Sequence, residues 1–151
     1  MITDIQSKDF TLVQNVLIND LGKDWSISSI QSLLEKKTTK TFAHYDDVDN
    51  NLIVFAICTQ VLDELEILAL GVLKEYRGKG QGKALLENMI SQSIENGIAR
   101  IVLDVSEANK PAIELYKRSN FFEIARRKDY YTHCKTGQKS DAIVMELKIK
   151  E

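Results

Sequence analysis

The sequence contains few of the residues that build disulfide frameworks and metal centres. Only two cysteines and two histidines occur in 151 residues. Cys58 lies in the apolar run IVFAICTQV, which favours a buried, unreactive thiol. This supply of thiols is too small for a disulfide framework, and no cysteine–histidine cluster has the spacing of a zinc site. We therefore expect a reduced, cytoplasmic protein without a bound metal.

The sequence also lacks long hydrophobic runs and a large excess of charge. No apolar run approaches the about 18 residues of a membrane-spanning helix, and the N-terminus MITDIQSKDF does not resemble a signal peptide. The formal net charge of −2 provides no general attraction to nucleic acid. Composition and length are typical of one globular domain, which we place at residues 1–151. We expect neither a membrane nor a nucleic-acid partner.

Helix-like and strand-like segments alternate along the chain. Helices are predicted over 7–22 (with Ser7 as cap and Gly22 as stop), 26–37, from the glycine-rich loop to about Asn96, and 109–119. Strands are predicted over 2–6, 39–45, 51–61, 64–73, 99–106, 121–128 and 141–149. The run 64–73 is almost continuously apolar, so we expect it to be buried on both faces. The predicted fold class is α/β, with a central mixed, mostly antiparallel sheet and helices on both faces.

A glycine-rich basic loop separates the strand at 64–73 from the next helix. Glycines alternate with polar residues in this loop, which reads Arg77, Gly78, Lys79, Gly80, Gln81, Gly82 and Lys83. A helix N-terminus offers unpaired N–H groups and partial positive charge, and glycines let an anion approach the backbone. The loop therefore predicts an anion site, with pyrophosphate as the expected ligand.

Other interpretations of the loop fit less well. A Walker loop requires Ser or Thr after its lysine, but Ala84 follows Lys83. The dinucleotide fingerprint GxGxxG does not match GKGQG. A flexible solvated turn remains an alternative, although so many glycines at a helix start are costly in chain entropy unless a ligand requires them.

The spacing Arg77-x-x-Gly80-x-Gly82 after a strand resembles the acyl-CoA pyrophosphate loop of the GCN5-related N-acetyltransferase (GNAT) superfamily. The later stretch LDVSEANKPAIELYKRSNFFEIARRKDYY, followed by DAIVMEL, is similar to the second half of that family. Within it, the stretch is most like the RimI branch, the ribosomal-protein-alanine N-acetyltransferases. The specific similarity covers residues 64–149, whereas the first part of the chain agrees only in element order.

The resemblance implies acetyl-CoA as cosubstrate and a direct attack of an amine on its thioester. The implied CoA-binding residues are the loop residues named above together with Leu70, Gly71, Val72 and Asn109. Tyr116 is the implied acid that protonates the leaving thiolate. Because Tyr116 also belongs to an apolar helical stripe, it could instead be a core residue. Asn109 could equally serve only as the cap of its helix.

Two acidic residues are candidates for the general base. Asp104 ends an apolar strand and stands where the RimI pattern has glutamate. Glu66 matches the position of the base in lysine-acetylating relatives. A structural role is the alternative for each, as a turn-stabilising carboxylate for Asp104 and as a solvated strand end for Glu66. A second departure, Asn120 in place of the family's glycine, is compatible with a left-handed helix end.

The resemblance predicts transfer of acetyl to a primary amine, with the N-terminal α-amine of a ribosomal or other protein as the expected acceptor. A small amine such as a polyamine, aminoglycoside or amino acid is the alternative acceptor. A non-catalytic CoA-binding protein and an RNA-binding module are alternatives from other classes; the second is disfavoured because only Tyr76 could stack bases near the basic loop. We expect a monomer or homodimer.

Overall fold

In a computed structural model, which describes residues 2–150, the elements occur in the predicted order. The strands are β1 (Ile2–Thr3), β2 (Thr39–Tyr45), β3 (Leu52–Val61), β4 (Glu64–Val72), β5 (Arg100–Ser106), β6 (Phe122–Thr132) and β7 (Lys139–Lys148). The helices are α1 (Phe10–Leu21), α2 (Ile27–Glu35), α3 (Gln81–Glu95) and α4 (Lys110–Arg118). Short 3-10 turns occupy Ser7–Asp9 and Lys74–Tyr76. Within residues 2–150, no helix is both long and apolar enough to cross a membrane.

All strands form one sheet in the order β1-β2-β3-β4-β5-β7-β6. Every neighbouring pair is antiparallel except β4 and β5, which are parallel. Helices α3 and α4 cover one face, where Met89 and Ile113 are buried, and α1 and α2 cover the other, where Leu17 and Ile30 are buried. The predicted fold class, mixed and mostly antiparallel with helices on both faces, is therefore confirmed.

The two parallel strands separate halfway along their length. Pairing between β4 and β5 covers only Glu64–Ile67 and Arg100–Leu103, although both strands continue beyond these residues. Beyond that point β4 stays paired with β3, and β5 stays paired with β7. Within residues 2–150, the backbone edges of β4 and β5 that face each other consequently have no strand partner across the gap.

A bulge at Leu68 accompanies this separation. Ile57 pairs with Ala69 and Cys58 with Ile67, so Leu68 is an extra residue on β4. Because side chains alternate between faces, the extra residue reverses which face each later side chain occupies. Ile67 packs on the α3–α4 side, whereas Ala69 packs on the α1–α2 side.

Several predicted details differ from the structure. Strand β1 is shorter than predicted, and Ser7 lies inside a 3-10 turn and is not a cap; Asp9 occupies the N-cap position of α1. The expectation that 64–73 is buried on both faces is wrong, because half-buried and buried residues alternate along β4. The fully buried strand is β3, whose residues from Leu52 to Cys58 are all buried. Strand β4 is more open because it borders the gap.

Candidate active site

The glycine-rich loop presents backbone donors at the start of α3. Gly78 and Gly80 adopt φ of 74° and 78°, the left-handed region that favours glycine. The N–H of Ala84 bonds to the Gly80 carbonyl oxygen at 3.0 Å. Within residues 2–150, the N–H groups from Gly78 to Lys83 have no backbone acceptor. This end of α3 therefore fits the pyrophosphate of CoA, because it combines free donors with the positive end of the helix dipole.

A cleft of about 880 Å³ extends from this loop towards the gap between β4 and β5. Most of the predicted CoA-binding residues line it, namely Leu70, Gly71, Val72, Arg77, Gly78, Gly80, Gln81, Gly82, Lys83 and Asn109. Lys79 is exposed and does not line the cleft. Gly71 cannot carry a side chain here, because a Cβ would lie 2.6 Å from the Val16 side chain. The cleft thus brings together residues that are far apart in sequence.

Arg77 has intramolecular partners in this structure. Its Nε donates to the Val72 carbonyl oxygen at 3.0 Å, and its terminal nitrogen pairs with the Asp20 carboxylate. The guanidinium therefore joins the glycine-rich loop to the end of α1 across the cleft wall. Its formal charge is largely balanced by Asp20.

A smaller cavity of about 260 Å³ lies where β4 and β5 separate. Asp104 and Tyr116 line this cavity, and it shares Leu70, Asn109 and Ala112 with the larger cleft. The two spaces therefore adjoin, with the free edge of β4 between them. This arrangement allows a long ligand in the cleft to place one end beside a second molecule in the cavity.

Asp104 and Glu66 lie on the same face of the sheet. Glu66 on β4 is paired with Val102 on β5. Asp104 lies two residues after Val102, so the side chains of Glu66 and Asp104 project to the same side of the sheet. Burial raises the pKa of Glu66, and the neighbouring Asp104 carboxylate raises this pKa further. Of the two, only Asp104 is in the cavity wall. Two neighbouring carboxylates at this place provide acceptors for a proton from an amine.

Tyr116 is both a core residue and a cavity residue. Its side chain is 5% exposed, and its ring lies 5.5 Å from that of Phe121, measured between centroids. Burial raises the pKa of Tyr116, so the phenol keeps its proton at neutral pH. The two interpretations from sequence are therefore compatible, because a buried tyrosine at the cavity wall can pack and also donate a hydrogen bond.

Helix ends and loops determine the positions of these side chains. The Asn109 side chain accepts a hydrogen bond from the Ala112 N–H at 3.3 Å and caps α4, as predicted. Asn120 adopts φ of 71° after the same helix, which agrees with its expected left-handed conformation. Gly22 ends α1 with φ of 65°. Since a Cβ on Gly22 would lie 2.7 Å from the His133 ring, the α1–α2 and β6–β7 loops are in close contact.

Among the cavity-lining residues that were not identified as site residues from the sequence are Asp20, Lys23 and Tyr131. Burial lowers the pKa of Lys23, while the carboxylates of Asp104 and Glu66 oppose this shift. Burial raises the pKa of Tyr131, and Asp104 adds to the shift. Lys23 and Asp20 had no sequence signal, because they reach the cavity only through the packing of a loop and a helix end. Tyr131 was part of the tyrosine pair in the family resemblance but had no assigned role.

Comparison with known proteins assigns these features to a family. Residues 2–121 match the model of the acetyltransferase (GNAT) family. The chain is 32% identical over 146 residues to the [ribosomal protein bS18]-alanine N-acetyltransferase of Haemophilus influenzae, covering 96% of each. It is 37% identical over 101 residues to the enzyme of that name from Escherichia coli strain K12, covering 67% of each. The crystal structure of the ribosomal-protein-S18-alanine N-acetyltransferase from Escherichia coli superposes with a TM-score of 0.86 and 28% identity, covering 100% of this chain and 94% of that one.

Proposed function

Because the chain belongs to the acetyltransferase (GNAT) family, we propose that it acetylates the N-terminal alanine of ribosomal protein bS18. The chain is an acetyl-CoA-dependent N-acetyltransferase and is similar to RimI homologues. The identity of the acceptor is the part of this function that we propose. It is supported by relatives that carry this activity in their names and align over nearly the whole chain. Action on a ribosomal protein would also agree with the expected cytoplasmic location.

The observation that carries the proposal is the small cavity at the strand gap. It adjoins the CoA cleft, and Asp104 and Tyr116 lie in its wall. Its volume of about 260 Å³ suits the end of a chain with a small first side chain better than a large rigid amine such as an aminoglycoside. The rest of a protein acceptor would extend outward past the α1–α2 and β6–β7 loops.

Asp104 is the proposed general base. At pH 7, deprotonating an α-amine of pKa about 7.8 costs about 1 kcal/mol, whereas a lysine side chain of pKa about 10.4 costs about 4.6 kcal/mol. A modest base therefore suffices for an N-terminal acceptor. Asp104 is one methylene shorter than the glutamate of the RimI pattern, so a bridging water is the proposed route for the proton. Glu66 is the alternative base, although it is set back from the cavity wall.

Tyr116 is the proposed acid, and the glycine-rich loop is the proposed pyrophosphate site. The phenol is protonated at working pH and can donate to the sulfur as the thioester breaks. The N–H groups from Gly78 to Lys83 would bind the phosphate oxygens. Backbone groups of Leu70–Val72 on the free edge of β4 would orient the acetyl-bearing arm, and Asn109 would contact CoA while capping α4.

The test uses three acceptors with acetyl-CoA and mass spectrometry. One peptide begins with alanine and follows the bS18 N-terminus without lysine; a second has a blocked N-terminus and one lysine; the third acceptor is spermidine. The proposal expects acetylation of the first peptide at its α-amine and little reaction with the others. Preferential acetylation of spermidine or of lysine would contradict the proposed acceptor, and the absence of any transfer would support binding without catalysis.

A further inference from the structure

Lys23 lies in the acceptor cavity because of the way α1 ends. The left-handed Gly22 turns the chain, and the Lys23 N–H bonds to the Leu17 carbonyl oxygen at 2.8 Å. Lys23 then forms part of the cavity wall together with Asp104 and Tyr131. An ammonium group is therefore present where the acceptor amine is expected to enter.

Aromatic rings and carboxylates surround this ammonium. Its Nζ lies 5.7 Å from the centroid of the Trp25 ring and 5.3 Å from that of Tyr131, which is within the range of cation–π attraction. Burial lowers the pKa of Lys23, but Asp104 and Glu66 favour its charged form. The two ring contacts thus fix the position of the Lys23 amino group near the two candidate bases.

The other charged groups near the cavity do not supply the positive charge that Lys23 supplies there. Asp20 also lines the cavity, but it is paired with Arg77. His133 lines the cavity from the β6–β7 loop. Arg127 is an exposed residue of β6 whose positive charge opposes the rise in the pKa of Glu66. The charges closest to the proposed reaction are thus the carboxylates of Asp104 and Glu66 and the ammonium of Lys23, and these three charges sum to −1. Removing the ammonium would leave −2 and a stronger attraction for cations.

We propose that Lys23 determines acceptor specificity by disfavouring amines that arrive as cations. This inference rests on the proposed function. At pH 7 an α-amine is neutral in about one molecule in seven, whereas a lysine side chain is neutral in about one in 2,500. A resident ammonium repels a second one, and this repulsion acts more often on the amine that is more often charged. Lys23 therefore favours N-terminal amines over lysine side chains and polyamines.

The test is a comparison of acceptors in Lys23→Met and Lys23→Arg. Methionine keeps a long apolar side chain against Trp25 without the charge, and arginine keeps the charge. The kcat/KM for the blocked lysine peptide and for spermidine is divided by that for the α-amine peptide. If the nearby charge disfavours a cation about tenfold, its removal speeds the lysine peptide about tenfold, but it speeds the α-amine, which is neutral in about one molecule in seven, only about fourfold. We therefore expect both ratios to rise at least about twofold in Lys23→Met and to stay near wild type in Lys23→Arg. The matched control is Lys8→Met, which removes an ammonium 5.4 Å from the Tyr45 ring, outside the cleft and the cavity.

Two results would overturn the proposal. Unchanged ratios in folded Lys23→Met would remove the role in specificity, and an equal loss with every acceptor would assign Lys23 a structural role. If Lys23→Met does not fold, the ratios are measured in Lys23→Gln. A wild type that prefers spermidine would contradict the proposed acceptor alone, because the change on substitution still reports on Lys23.

Discussion

Substitutions at Gly82 can separate CoA binding from folding. Gly82 lies in the first turn of α3 with ordinary helical φ, and it lines the cleft. A Cβ at this position would lie 3.5 Å from the Leu115 side chain and 3.6 Å from that of Val72, which are ordinary van der Waals distances. Gly82→Ala should therefore fold without strain. Replacing a helical glycine by alanine should stabilise the protein by about 0.5–1 kcal/mol, or about 1–4 °C in Tm.

Gly82→Glu should abolish CoA binding while the protein stays folded. A glutamate suits the first turn of a helix, since it complements the dipole. Its carboxylate would, however, occupy the anion site and repel the pyrophosphate. At about 4 Å and an effective dielectric constant of about 20, one such pair of charges costs about 4 kcal/mol. This corresponds to a loss of affinity of about 10³-fold.

The assay is isothermal calorimetry with CoA, accompanied by thermal unfolding, on wild type, Gly82→Ala and Gly82→Glu. Ser91→Glu, which places the same charge on the exposed side of α3, is the matched control. We expect Gly82→Ala and Ser91→Glu to keep affinity within about tenfold of wild type, a smaller change than one close charge repulsion produces. Unchanged CoA affinity in folded Gly82→Glu would refute the anion site. A marked loss of stability in Gly82→Ala would refute the packing described around this glycine.

Three further predictions concern the cavity. Tyr116→Phe should keep the fold and CoA affinity but lower turnover about 10²-fold, the usual effect of a general acid; steady-state kinetics at several pH values would show it, and unchanged turnover throughout would leave Tyr116 as a packing residue. Asp104→Asn should lower activity on the α-amine peptide mainly below about pH 8, where the acceptor arrives protonated. A uniform loss in its pH–rate profile would indicate a structural role, and a pH-dependent loss only in Glu66→Gln would move the base to Glu66. Glu66→Gln should raise Tm slightly at pH 7. The raised pKa of Glu66 means that folding penalises its ionised form, so the penalty is present above the folded pKa and absent at acid pH, where the carboxyl is protonated in both states. Equal Tm changes at pH 7 and pH 3 would contradict this explanation.

The sequence by itself determined the features that depend on local chemistry. The order of helices and strands follows from hydrophobic periodicity, and the proposed anion site follows from glycines at a helix start. Asn109 as a cap and Asn120 as a left-handed residue could be inferred because few side chains suit those backbone positions. The family resemblance then indicated the chemistry, since its motifs lie on these same elements.

Only the tertiary structure decided how the cavity is formed. The separation of β4 from β5 depends on each strand keeping its other partner. The Leu68 bulge reverses which face later side chains occupy, within a run that is almost continuously apolar in sequence. Lys23 lies just after the end of α1, whereas Tyr131 lies on β6, more than a hundred residues later in the chain. Only the fold brings the Lys23 amino group near the Tyr131 ring. Local periodicity reports how a segment alternates between solvent and core. It contains no information about which distant segment supplies the opposite wall, because that is determined by long-range packing.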